Sequence, residues 1–89
     1  MEITLCLPLT TDDCEEYGQL QQKCDIPFAP AVGTMIEAAF SQRLRVREIL
    51  LHVSGGYKGI SVILEPYECE SDQEAKSLLE QPPTGWARV

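Results

Sequence analysis

Arg43, Arg45 and Arg47 stand at alternate positions in the chain. On a strand, every second side chain points to one face, so the three guanidinium groups would form a row about 13 Å long. Planar forked donors in such a row suit phosphates or carboxylates, which each arginine can grip through two hydrogen bonds. The plainer role is a solvated strand face whose charges discourage edge pairing. Tyr57, in a glycine-rich turn, and Trp86, beyond Pro82-Pro83, are the aromatic side chains that could extend this surface. Arg43, Arg45, Arg47, Tyr57 and Trp86 are the candidate binding residues.

Covalent chemistry has less to work with. A nucleophile needs a base beside it, and the only histidine is His52, in mid-strand. Cys6 lies on the less apolar side of another strand, and Cys69 is a second thiol that could meet it. With no third group to orient the imidazole, no catalytic residue is assigned and the protein is not expected to be an enzyme. Cys6, Cys14, Cys24 and Cys69 include no CxxC pair, so no metal and no cofactor are expected. They read as four free thiols behaving as small hydrophobes. The stretch from Glu65 to Glu74 carries five carboxylates but lacks the Asp/Asn-rich loop and glycine of a calcium site. It reads as a solvated acidic rim. The run from Ser54 to Gly59 joins two strands and opens no helix, so its glycines and Lys58 mark a turn and not a phosphate cradle.

Composition narrows the partners. The net charge of −7, from 14 acidic and 7 basic residues, opposes sequence-independent binding to a phosphate backbone. No apolar run reaches membrane-spanning length, and the start MEITLCLPL lacks the basic residues of an export signal. A cytoplasmic protein without membrane attachment is the expectation. The 44 % hydrophobic and 24 % charged residues are those of a folded domain rather than a disordered one. At 89 residues the chain forms one domain, 1–89, and buries only about 60–65 % of its unfolded surface.

The elements that must position these side chains follow from periodicity. Ile3, Leu5, Leu7 and Leu9 alternate with polar or small residues, which predicts a first strand over 1–9. Acids at Asp12, Asp13, Glu15 and Glu16, with Cys14, Tyr17, Leu20 and Cys24 on one side, predict a helix over Thr11 to Cys24. Gly18 is its weak point, where a broken loop is the alternative. Pro27 and Pro30 exclude regular structure around Phe28, which is expected to plug the core. Thr34 to Phe40 is read as a strand, with a helix from Ile36 as competitor.

The strongest signal is a hairpin. Ile49, Leu51 and Val53 alternate on one arm, and Ile60, Val62 and Leu64 on the other. With Gly55-Gly56 as a two-residue turn, Leu51 faces Ile60 and Ile49 faces Val62, and both sets share one buried face. The apolar phase slips between Val46 and Ile49, and a bulge near Arg47-Glu48 repairs it. Pro66 breaks the partner strand at the same level, so both strands bend together. Ser71-x-x-Glu74 then opens a helix that runs to Gln81, with Ala75, Leu78 and Leu79 as its buried stripe. Residues 82–89 read as an extended tail that either docks Trp86 or presents it.

These elements predict an α+β fold: a small, mostly antiparallel, strongly bent sheet of about five strands with two short helices. It is read as a partly open SH3-like barrel, with a flat α+β sandwich as the alternative. Such barrels host unrelated functions, so architecture alone assigns none. The functional expectation is a non-enzymatic protein-interaction or adaptor module whose partner is another protein. A nucleic-acid-binding small barrel using the arginine row and Tyr57 is second, disfavoured by the net acidity. A small thiol enzyme around Cys6 or Cys69 and His52 is third.

Overall fold

The computed structural model describes residues 1–13, 15–28, 30–37, 43–53 and 59–89. The elements run β1 (Glu2–Thr10), β2 (Gly18–Asp25), β3 (Met35–Glu37), β4 (Arg43–His52), β5 (Gly59–Leu64), β6 (Tyr67–Glu68), α1 (Asp72–Glu80) and β7 (Ala87–Arg88). The strands form one sheet in the order β3-β4-β5-β1-β2-β7, with β6 also on β1. The sheet curls into a half-barrel accompanied, among the described residues, by a single helix.

β1 is the axis of the fold. Its apolar alternation is realised in full: Ile3, Leu5, Leu7 and Leu9 are all buried. On one side it pairs antiparallel with β2, from Glu2↔Asp25 to Leu9↔Gly18. On the other it pairs parallel with β5 and, past Pro66, with β6. The centre of the sheet is therefore parallel, while β3, β4 and β5 form the antiparallel meander expected of them.

The hairpin register is the expected one. Ile49 faces Val62, Leu51 faces Ile60, and the register shifts between Val46 and Glu48, where the bulge was placed. β5 stops at Leu64 and β6 starts at Tyr67, so Pro66 interrupts the partner at the same level. The turn at Gly55-Gly56, with Tyr57 and Lys58, lies outside the described residues.

Burial along the hairpin departs from expectation. Leu51 is 67 % exposed, and only Leu44, Val46, Val62 and Leu64 are fully in the core. The reason is one of length. A ten-residue strand spans about 33 Å, whereas a nine-residue helix covers about 13 Å. α1 packs on β2 and β7 near Gly18, the opposite end of the sheet from Leu51. The hairpin thus outruns the layer that could bury it.

The predicted helix over Thr11 to Cys24 is replaced by a turn and β2, so the fold has one helix and not two among the described residues. Leu20 is fully buried opposite Leu7, while Gln19 and Gln21 face the other way. A strand alternation hidden among glutamines here outweighs the acidic helix-start signal. Gly18 has a packing reason as well: a Cβ there would lie 2.6 Å from Cδ1 of Leu79 on α1. The strand expected at Thr34–Phe40 is realised as β3, and 38–42 lie outside the described residues.

Phe28 does not plug the core. It is 69 % exposed, and Pro30 is the buried residue among those described in that loop. The second helix forms as expected. Ser71 Oγ accepts from the Glu74 N–H at 3.2 Å, and Ala75 and Leu79 are buried. Residues 82–89 are no free tail: Trp86 is buried and β7 pairs with β2 at Leu20↔Arg88.

Candidate functional site

β4 sends Leu44 and Val46 inward and leaves Arg43, Arg45 and Arg47 exposed on the other face. The arginine row therefore exists as a strand feature. Its charges are already partly matched. Arg45 Nε lies 3.5 Å from Glu65 Oε1, and Arg43 stands opposite Glu37 on β3. An exposed pair of this kind contributes at most about 1 kcal/mol.

Arg47 stands at the rim of a shallow groove of about 650 Å³ on the face opposite α1. Pro8 of β1, Ile63 of β5 and Pro66 form its apolar floor, and Glu15 and Glu16 stand in its wall. The register explains why these residues meet. Cys6 pairs with Ile63 across the β1–β5 ladder, which puts Pro8 one step beyond, beside the Pro66 interruption. The acids that suggest a helix start lie instead in the β1–β2 turn, and two of them, Glu15 and Glu16, reach the groove. Sequence reasoning missed this floor. The available signal was Pro8 and Ile63, two apolar residues on the strand faces that were expected to be polar.

The other candidates are placed apart. Trp86 is only 7 % exposed and belongs to the core, so it is not presented. Tyr57 lies outside the described residues. His52 Nε2 is 2.8 Å from Ser61 Oγ, a cross-strand contact on the open face. Cys6 shares that face but lies two strands across and four residues along, about 16 Å away at ordinary strand spacings. Cys69 is buried beside the end of β1, where its N–H bonds to the Thr10 carbonyl at 2.8 Å. Neither thiol forms a dyad with His52.

Nor, among the described residues, are the thiols of Cys6, Cys24 and Cys69 activated. Burial pushes the Cys69 thiol from the usual 9 to about 11, with Glu74 adding to the shift. Burial also raises Cys6, and burial followed by the Asp25 charge raises Cys24. Cys6 and Cys24 point to opposite faces of neighbouring strands, and Cys69 sits at the far end of β1 from Cys24. No two of these three come within bridging distance. Among the described residues, no cluster of three or more His, Cys, Asp or Glu could hold a metal ion. Also among them, no helix is long and apolar enough to cross a membrane.

These shifts predict alkaline sensitivity. A thiol whose folded pKa lies above its unfolded value holds its proton longer in the native state. Its contribution is complete below pH 9 and fades as the pH rises towards 11. Urea midpoints should fall over that window, and Cys69→Ala should flatten the fall. An unchanged slope in the variant would show that Cys69 is not the group responsible.

No protein-family model, curated protein or solved structure matches this chain.

Proposed function

We propose that the protein is a non-enzymatic interaction module, a partly open SH3-like small barrel that holds another polypeptide on the open face of its sheet. The observation that carries this reading is the groove beside Arg47. Its floor of Pro8, Ile63 and Pro66 is apolar, and its rim carries both signs of charge through Arg47, Glu15 and Glu16. A polypeptide offers apolar side chains and charges of both signs within one short stretch, which suits such a rim. A phosphate backbone would gain Arg47 but meet two carboxylates beside it, in a chain of net charge −7. Nucleic-acid binding through Arg43, Arg45, Arg47 and Tyr57 is therefore the weaker reading.

Replacing the three arginines together by glutamine tests both readings. All three side chains are exposed, so stability should stay within about 1 kcal/mol of the parent. A polypeptide retained by the parent chain from a lysate of its host should then be lost from the variant. Loss of stability instead would make the arginines structural partners of Glu37 and Glu65. Tight, salt-sensitive binding of single-stranded nucleic acid by the parent, abolished in the variant, would replace the protein reading by the nucleic-acid one.

A further inference from the structure

Among the described residues, the second half of β4 has a partner on one edge only. β3 covers Arg43 to Arg45, and the residues just before it reach Val46, whose N–H bonds to the Thr34 carbonyl and whose carbonyl accepts from the Gly33 N–H. Beyond Val46 the strand continues to His52 with β5 as its only pairing strand among the described residues.

The backbone direction along this edge follows from the ladder. The Arg45 carbonyl accepts from Glu65, so Arg45 faces β5 while Val46 faces β3. The bulge after Val46 shifts that alternation by one residue. Glu48, Leu50 and His52 then turn their peptide groups to β5, opposite Ile63, Ser61 and Gly59. Ile49 and Leu51 turn theirs outward. Among the described residues no strand pairs with those groups, and a strand edge open in this way is a template for another strand.

Natural sheets protect such edges with charge or proline. Past Arg47 and Glu48, this one carries the opposite. Leu50, Leu51 and Val53 are 43 %, 67 % and 71 % exposed, on both faces of the strand. The only charge between Ile49 and Val53 is whatever His52 carries.

We infer that this edge pairs with the same edge of a second copy of the chain, antiparallel and centred on Leu50. The uncovered window runs from the bulge at Arg47 to Val53, and its midpoint is Leu50. Antiparallel pairing about that residue places Ile49 against Leu51 of the second copy, and Leu51 against Ile49. Those are the two residues whose peptide groups point outward, so they exchange reciprocal hydrogen bonds. On the open face, Glu48 meets His52 of the copy, an acid against a base, and Leu50 meets Leu50 on the twofold axis. Apolar side chains meet on the other face. A register one residue away would face outward-pointing peptides with inward-pointing ones and lose the hydrogen bonds. The window is self-complementary in hydrogen bonding, in its pairing of an acid with an imidazole and in hydrophobicity at one register. The groove at Arg47 is a separate surface, and the pairing does not depend on its having a ligand.

Sedimentation of the full chain over a wide concentration range reads the proposal directly. The 9.9 kDa chain should show a concentration-dependent doubling of mass. Leu51→Pro removes an outward donor without touching the β5 ladder and should abolish the doubling. Leu50→Cys supplies a second readout that does not rely on that variant folding. Opposed residues at a non-hydrogen-bonded site lie about 4.5 Å apart, within disulfide reach, so mild oxidation should give a covalent dimer absent from the parent. Leu51→Cys, offset by two residues from its own copy, should cross-link far less. A parent that stays monomeric at all concentrations overturns the proposal. So does a dimer in which Leu51→Cys links as well as Leu50→Cys.

Discussion

Leu64→Ala is expected to cost about 3–5 kcal/mol, and Leu51→Ala less than about 1 kcal/mol, although both lie on the same face of one hairpin. Leu64 is fully buried, paired with Val46 across the ladder. Truncating it removes transfer energy and leaves a cavity that the surrounding strands cannot easily close. Leu51 is 67 % exposed, and alanine there removes little that is not already in water. A domain of this size has a total stability of about 5–10 kcal/mol, so the first change alone approaches unfolding. Urea denaturation should be run on dilute protein, where self-association does not add to apparent stability. Similar losses for the two variants would mean that a layer covers the Leu51 end of the hairpin.

The same comparison marks what the sequence could reveal. Period-two alternation identified β1, the register of β4 with β5, and the bulge, because each depends on neighbours a few residues away. It could not tell where the buried face ends. That limit is set by the length of α1 and its placement over Gly18, a tertiary fact with no local signature. β2 was hidden for a related reason. Acids before an apolar spacing of three and four are a sound helix signal, but Leu7 opposite Leu20 offers a buried pair that a helix would forfeit.

The candidate site was legible only in part. The arginine row could be read because alternation alone places three side chains on one face. The groove floor could not, since Pro8, Ile63 and Pro66 meet through the parallel pairing of β1 with β5. Parallel neighbours are joined by a long crossover and leave no turn in the sequence to announce them. The Cys6–His52 pair failed for the converse reason. Both residues do share a face, but the register separates them along it.

Trp86→Ala is expected to cost about 3–5 kcal/mol, the range for removing a buried large aromatic side chain. The tail that carries it is held by backbone as well as by packing. Gly85 adopts φ +90°, a conformation that L side chains resist, and the Trp86 N–H bonds to the Pro83 carbonyl at 2.9 Å. That turn aims the indole into the core, after which β7 pairs with β2 and the Val89 N–H reaches the Gln19 carbonyl at 3.1 Å. Ala87 and Arg88 are themselves exposed, so Trp86 supplies most of the apolar burial that keeps the tail in place. Its loss should free β7 and bare the edge of β2. Trp86→Phe should recover part of the stability by refilling part of the volume. The fluorescence of the parent gives an independent reading, because this is the only tryptophan. Emission should be blue-shifted and poorly quenched by acrylamide in the native state, and should move red on unfolding. Red, freely quenched native emission, with an alanine variant as stable as the parent, would mean that the tail hangs free and presents its tryptophan to a partner.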